Sequence, residues 1–406
     1  MALKRGILAG LFSLAGVGIG FNAYGDDYTD LVRLLEAKGV FTHEEAQRLI
    51  KLHEEHLAKK EKTAAKEQEL NKADWKRLKK LAELKISGKA YIHYDYTSNA
   101  PSATDREKGE FKVTRAYFEV RKYFDRSGKD YFRLTTDVYR EDSNSGYVVR
   151  LKYAYLNWGL SKNLQTEIGL AHRPWIDWEE HHAWLHRYVD KTFIEDKDGA
   201  HLITSADLGI ALKGKFKNAD YMVGIYNGEG YHGAEDDHHF GKSLEGRVAL
   251  DFTENFFGAI HVAYISNNYD NETDTTIVQP LVGFKNRYFL VAAQYIWDNE
   301  DPERGKAYTN NGFAVNGDLY LKPLTGKPIT LFARYGYWNF DSDVESKTDY
   351  TKVDRWQAII GAEYTWNKYI KTALAYKHVD YDIDSANTET GKDTKDIFTA
   401  AMQVKW

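Results

Sequence analysis

Cysteine is absent from the 406 residues, which excludes disulfides and thiol chemistry. Long apolar runs are missing beyond the amino terminus, and after Phe21 no segment could cross a bilayer as a helix. An exported soluble protein or a β-barrel remains. No surplus of basic charge is present: the formal charge is −5, an ordinary acidic value that argues against nucleic acid as partner. No grouping of Ser, His and Asp resembles a nucleophile with its base, so an enzyme is not expected, and no cofactor is implied. Proline is scarce at six residues, but Pro280 falls in the middle of a strand-like segment, where a closed sheet wants every N–H paired. A β-bulge is expected there.

What the chain does have begins with a leader. Lys4 and Arg5 precede an apolar run from Ile7 to Phe21, and small residues flank a cut before Asp26. This pattern is a secretory signal peptide over residues 1–25, whose removal takes the charge to −7. Residues 26–84 are rich in Lys, Glu, Ala and Leu. Thr29 to Lys38 reads as a helix stopped by Gly39, and Thr42 with Glu45 forms a capping box for a second helix. A third helical stretch carries Leu70, Trp75, Leu78 and Leu81. The narrow apolar stripe implies packing between copies as a coiled coil, or against other elements.

From Lys85 the period changes from about four to two. Sixteen alternating segments follow, near 85–97, 110–124, 130–140, 147–158, 162–172, 204–216, 221–227 and 243–252. The series continues with 256–266, 276–285, 288–297, 312–322, 328–340, 353–366, 369–380 and 395–406. Short connections alternate with long polar ones, the brief 141–146 excepted, and the longest spans 173–203. Mean hydropathy is −0.59, yet Tyr numbers 29 and Trp 10. Aromatic girdles at two membrane interfaces, with lumen residues cancelling lipid-facing ones, account for both values. The terminal strand shows the same design: Phe398, Ala400, Met402, Val404 and Trp406 share one face. The fold expected is all-β and transmembrane, a 16-stranded antiparallel β-barrel over 85–406.

The chain resembles the phosphate-selective porin O/P-like family of bacterial outer-membrane porins. The resemblance rests on Lys85-Ile-Ser-Gly-Lys-Ala-Tyr91, Leu151-Lys-Tyr-Ala-Tyr-Leu-Asn157, Gly169-Leu-Ala-His-Arg-Pro-Trp175 and the strand Phe398–Trp406. It implies a homotrimeric channel in the outer membrane whose third external loop folds into the lumen. It also implies that the barrel assembly machinery reads the carboxy-terminal strand. The helical segment resembles periplasmic extensions of some members. Passive diffusion of small hydrophilic solutes and ions, with anions such as phosphate among them, is the expected function. A structural anchor that grips the cell wall through residues 26–84 is the alternative.

Selectivity would lie in charges at the constriction. Thr114, Ala116, Phe118 and Val120 read as lipid-facing, which turns Arg115, Glu119 and Arg121 inward. Arg133 and Asp137 follow on the next strand. Arg150 and Lys152 point inward on the one after, opposite lipid-facing Val149, Leu151, Tyr153 and Tyr155. This basic wall would face an acidic third loop holding Asp177, Glu179, Glu180, Glu195, Asp196 and Asp198. The same charges could equally pair among themselves. The loop also supplies Arg173, Arg187, Lys191 and Lys197 but no dense arginine ladder, which departs from a strongly anion-selective pattern. His182 and His186 stand four apart, so on a helix they would share a face with the spacing of zinc or copper ligands. His232, His238 and His239 lie in the next loop. Protonation-dependent gating and a plain Trp-packed helix are the other readings of these histidines.

Overall fold

The computed structural model describes residues 26–102, 108–125, 127–140, 146–233, 241–268, 273–342, 345–346 and 349–406, without the side chains of 26–27 and 65–82. The expected signal peptide, His238 and His239 lie outside the described residues. The chain divides into two compact units, ending and beginning at Leu81 and Ala82.

The first unit is a helix pair, α1 (Asp26–Ala37) and α2 (His43–Ala82). Gly39, at φ +75°, ends α1 in a Schellman turn, with Gly39 N–H donating to Glu36 O and Val40 N–H to Leu35 O. The capping box forms as expected: Thr42 N–H donates to Glu45 Oε2 at 2.9 Å, and Glu45 N–H to Thr42 Oγ1 at 3.3 Å. The second and third helical stretches are one continuous helix of 40 residues, since nothing between them breaks the ladder. Val32 and Ala46 are buried, and the rings of Tyr28 and His53 stack at 4.1 Å.

The second unit is a closed barrel in which every strand pairs antiparallel with its sequence neighbours. Among the described residues its strands are β1 (Leu84–Asn99), β2 (Lys108–Tyr123), β3 (Tyr131–Arg140), β4 (Tyr147–Gly159), β5 (Leu164–His172), β6 (Ala206–Lys215), β7 (Ala219–Tyr226) and β8 (Ser243–Asp251). They continue with β9 (Phe256–Asn268), β10 (Thr273–Lys285), β11 (Phe289–Pro302), β12 (Tyr308–Tyr320), β13 (Ile329–Asn339), β14 (Arg355–Thr365), β15 (Ile370–Tyr381) and β16 (Thr394–Lys405). Two short helices sit between strands: α3 (Ile176–His182) after β5 and α4 (Lys322–Thr325) after β12. All sixteen expected segments are strands. The β1–β16 pair closes the ring, from Lys89↔Lys405 to Asn99↔Asp396. Both ends of the barrel sequence therefore lie at one rim, called here the near end, together with the short turns. The loops after β1, β3, β5 and the later odd strands form the far end.

Period two places apolar groups outside. On β16 Phe398 is 51% exposed whereas Ala401 is 4% exposed. Trp158, Phe216, Phe252, Phe289, Trp366 and Trp406 ring the near end outside, and Tyr94, Phe111, Tyr264, Tyr295, Tyr335 and Phe398 the far end. Aliphatic residues such as Leu134, Ile210, Ile225 and Val262 fill the band between them.

Four expectations need correction. Pro280 causes no bulge: its outward position and its pairing with Ile260 keep the alternation intact. The ladder to β11 leaves out Gln279 and Pro280 but resumes in the same register, and Gln279 Nε2 donates to Gln294 Oε1 across the gap. The far-end loops after β9 and β11 are shorter than expected, because polar strand ends such as Ser266–Asn268 and Asp298–Pro302 stay in the sheet. Tyr153 and Tyr155 face inward, not outward. Thr135 pairs with Tyr153 and Thr136 with Leu151, so Lys152 is an extra residue that reverses the alternation beyond it. Thr114 is likewise the extra residue of a bulge on β2, opposite Tyr91 and Ile92, and leaves the outer face.

Candidate functional site: a loop-constricted lumen

The 173–205 connection between β5 and β6 does fold into the lumen. Its apolar side chains, from both halves of the loop, meet an apolar wall. Trp175, Ile176, Trp178, Phe193, Ile194 and Ile203 pack against inward residues of β9 to β13, among them Phe257, Ile277, Leu281, Ile296 and Trp338. Those strands thus carry apolar residues on both faces. The barrel has a hydrophobic core on this side rather than a water-filled wall.

Charge fixes the rest of the loop. Lys377 Nζ lies 2.9 Å from Asp190, 2.6 Å from Asp196 and 2.9 Å from Asp198. Arg334 donates to Lys191 O at 2.6 Å with its guanidinium 3.7 Å from the Trp184 ring, and Arg355 donates twice to Gly199 O. His93 Nε2 donates to Tyr188 O. Two of the six expected loop carboxylates, Asp196 and Asp198, are therefore turned, together with Asp190, to an anchoring cation and not to a facing basic wall. Glu180 and Glu195 hold Arg187 at 2.7 and 3.2 Å.

Two expected lining residues are anchors. Arg173 is 2% exposed and binds Glu245 at 2.6 Å. Glu179 is fully buried and accepts bonds from Trp175 Nε1 and Gln294 Nε2. His182 and His186 do not share a helical face, because α3 ends at His182. His182 Nδ1 bonds Trp178 O and its ring stacks on that indole, whereas His186 bridges Asp318 and Glu363 at 2.9 and 3.2 Å. Among the described residues no cluster of three potential ligands could hold a metal ion.

The opposite wall is the basic one. Arg115 and Arg150 share Asp137 at 2.7 and 3.3 Å, and Arg121 and Arg133 share Glu119 at 2.7 and 2.6 Å. Each carboxylate thus serves two guanidinium groups and a positive excess remains. Tyrosines intervene. Arg133 lies 4.4 Å from the Tyr153 ring, Arg150 3.8 Å from Tyr139, and Lys152 4.8 Å from Tyr117. Composition alone assigns tyrosine to the girdles, and the bulge at Lys152 that turns Tyr153 and Tyr155 inward leaves no mark in the alternation.

A cavity lies on each side of the loop. The far-end one, about 1140 Å³, includes Lys112, Arg115, Arg140, Arg150, Arg187 and Lys191 in its lining. Among the described residues its lining holds ten Lys or Arg against five carboxylates. His232 senses this field: burial and the positive charge of Arg150 push its pKa down to about 3. The near-end cavity, about 640 Å³, is bounded by Lys162, Lys213, Arg247, Asp177, Asp220 and His181.

The loop's hold depends on pH. Burial pushes the Glu179 carboxyl up to about 7, against the opposing pull of Arg334 and its two hydrogen bonds. Burial draws the His186 pKa down, but the bonds to Asp318 and Glu363 outweigh it and raise the value overall. A carboxyl raised from 4.5 to about 7 loses about 3 kcal/mol of stability as pH rises through that interval. A histidine with raised pKa contributes fully below its ordinary value and loses that contribution as pH climbs through the folded one. Both signs agree. Hydrogen-exchange protection factors, corrected for the intrinsic pH dependence of amide exchange, should be higher in residues 176–198 at pH 5 than at pH 8, and Glu179→Gln should remove most of the difference between pH 5 and 7. Equal protection at both pH values would contradict the assignment.

Comparison with known proteins finds the same barrel fold among solved outer-membrane proteins. No protein-family model matches the sequence, and no curated protein matches it. Among solved structures the chain is similar to the anion-selective porin from Comamonas acidovorans, with TM-score 0.60 and 10% identity over 80% of this chain and 99% of that one. It is also similar to the trimer form of OmpT, an outer membrane protein of Vibrio cholerae, with TM-score 0.55 and 10% identity over 80% and 99%. A third is the outer membrane channel DcaP of Acinetobacter baumannii, with TM-score 0.54 and 14% identity over 80% and 97%. At these identities the likeness is one of fold: the chain has the sixteen-stranded barrel of outer-membrane porins.

Proposed function

We propose that the protein is an outer-membrane channel for passive diffusion of small hydrophilic solutes, with a preference for anions. The observation that carries this reading is the far-end cavity, which has twice as many basic side chains as carboxylates among the described residues. An aqueous vestibule with low-dielectric walls concentrates counter-ions of the opposite sign before they reach the constriction. The reading includes export by the signal peptide over 1–25, a periplasmic coiled-coil segment over 26–84 and a homotrimer in outer-membrane lipid. Arg115, Arg121, Arg133, Arg150, Lys152, Arg187 and Glu180 line its waist. Phosphate selectivity lies within the anion preference, although inward cations on β2 and β3 are partly neutralised by Glu119 and Asp137.

The test is ion selectivity in planar bilayers under a KCl gradient. Arg115→Gln with Arg150→Gln keeps hydrogen-bond donors beside Asp137 while removing both charges. The chloride-over-potassium permeability ratio should fall by at least half. An unchanged reversal potential would remove the basic wall from the account.

A further inference from the structure

Among the described residues the other proposed waist cations pair with Asp137, Glu119, Glu180 or Glu195, and Lys152 pairs with none of them. The bulge on β4 aims it into the barrel, where it is 7% exposed. Among the described residues no carboxylate lies within ion-pair distance of its ammonium group. Its surroundings are rings: Tyr117 at 4.8 Å, Tyr153 at 5.5 Å and Tyr231 at 5.6 Å. Ring faces attract an ammonium but do not replace the hydration that burial removes. A compact anion would complete the balance.

We propose that Lys152, with the rings of Tyr117, Tyr153 and Tyr231, forms a waist site for one weakly hydrated, monovalent, planar oxyanion such as nitrate. This deepens the channel reading and rests on it. The chemistry of the lining selects the class. Aromatic walls supply flat surfaces and few donors, which suits a planar anion that gives up its water readily. Sulfate or phosphate holds water more tightly, and a single unpaired ammonium cannot replace that shell. Monovalent charge matches the one unpaired cation. Arg115 and Arg187 are engaged elsewhere, with Asp137 and with Glu180 and Glu195.

Single-channel conductance measured against salt concentration tests this. Sodium nitrate should saturate, with half-saturation at least tenfold lower than that of sodium sulfate or phosphate. Lys152→Gln should make the nitrate curve proportional to concentration, and Lys152→Arg should restore saturation. Tyr117→Leu should weaken it at least threefold, whereas Tyr117→Phe retains the ring and the effect. Proportional nitrate conductance in the wild type, or saturation by sulfate at equal concentration, overturns the site. A protein with no current in any salt refutes the channel reading instead. In that event chlorine-35 NMR line broadening by the detergent-solubilised protein decides the site alone. Broadening reversed by nitrate and lost in Lys152→Gln supports it, and no broadening overturns it.

Discussion

Lys377→Met should free the second half of the constriction loop and raise the channel's conductance and current noise. The Lys377 side chain is 11% exposed and its ammonium bridges Asp190, Asp196 and Asp198 at 2.6–2.9 Å. Burial and the neighbouring Asp196 push the Asp190 carboxyl up, so this group is the first of the three to take a proton. Removing the ammonium leaves buried carboxylates uncompensated, which costs about 3–5 kcal/mol. The loss is local, since the sixteen-strand ladder has no part in these bonds. Arg334 and Arg355 still hold Lys191 O and Gly199 O. Trypsin cleavage within 187–197 should therefore accelerate at least tenfold while the barrel keeps its heat-modifiable mobility on gels. Lys377→Arg should stay close to wild type. Unchanged conductance and unchanged proteolysis would show that the tether contributes nothing.

Gly88→Val should impair closure of the barrel itself. Gly88 and Trp406 exchange backbone hydrogen bonds of 3.1 Å at the seam between β1 and β16. A Cβ on residue 88 would overlap the Trp406 indole and lie 2.5 Å from Tyr117 O. The indole can rotate away, but the carbonyl oxygen belongs to the β1–β2 ladder and cannot. Folding yield, measured as the heat-modifiable fraction, should fall several-fold. Gly88→Val in a Trp406→Ala background should recover only part of it, because the backbone clash remains. Full wild-type yield in Gly88→Val would mean that the seam tolerates a side chain there.

The strands were legible because water and lipid act on alternate residues, so period two survives wherever both solvents are present. It blurred where they are not. In residues 276–285 the inward face carries Ile277 and Leu281 because it meets the loop's own apolar side. Strand ends such as Asp298–Pro302 read as loop because they carry polar residues on both faces. The bulge at Lys152 was hidden for a different reason. Tyr153 and Tyr155 suit lipid interface and lumen alike, and a one-residue slip leaves no change in residue type.

The site was legible in its parts and not in its pairings. Arg115, Arg133, Arg150 and Lys152 were placed inward from alternation alone, and the structure agrees. Their partners on the same or adjacent strands, Asp137 and Glu119, were within reach of that reasoning. The anchors Lys377, Arg334, Arg355, Asp318 and Glu363 lie more than 100 residues from the groups they hold, and no local pattern couples them. The loop's carboxylates therefore looked like one face of a transverse field, whereas half of them bind the wall behind the loop.

Single-channel recording of the purified protein in a planar bilayer, with a tenfold KCl gradient, decides whether the barrel is an anion-preferring channel. Discrete conductance steps and a reversal potential on the chloride side of zero are expected. Insertion without current, or a reversal potential on the potassium side, would contradict that reading.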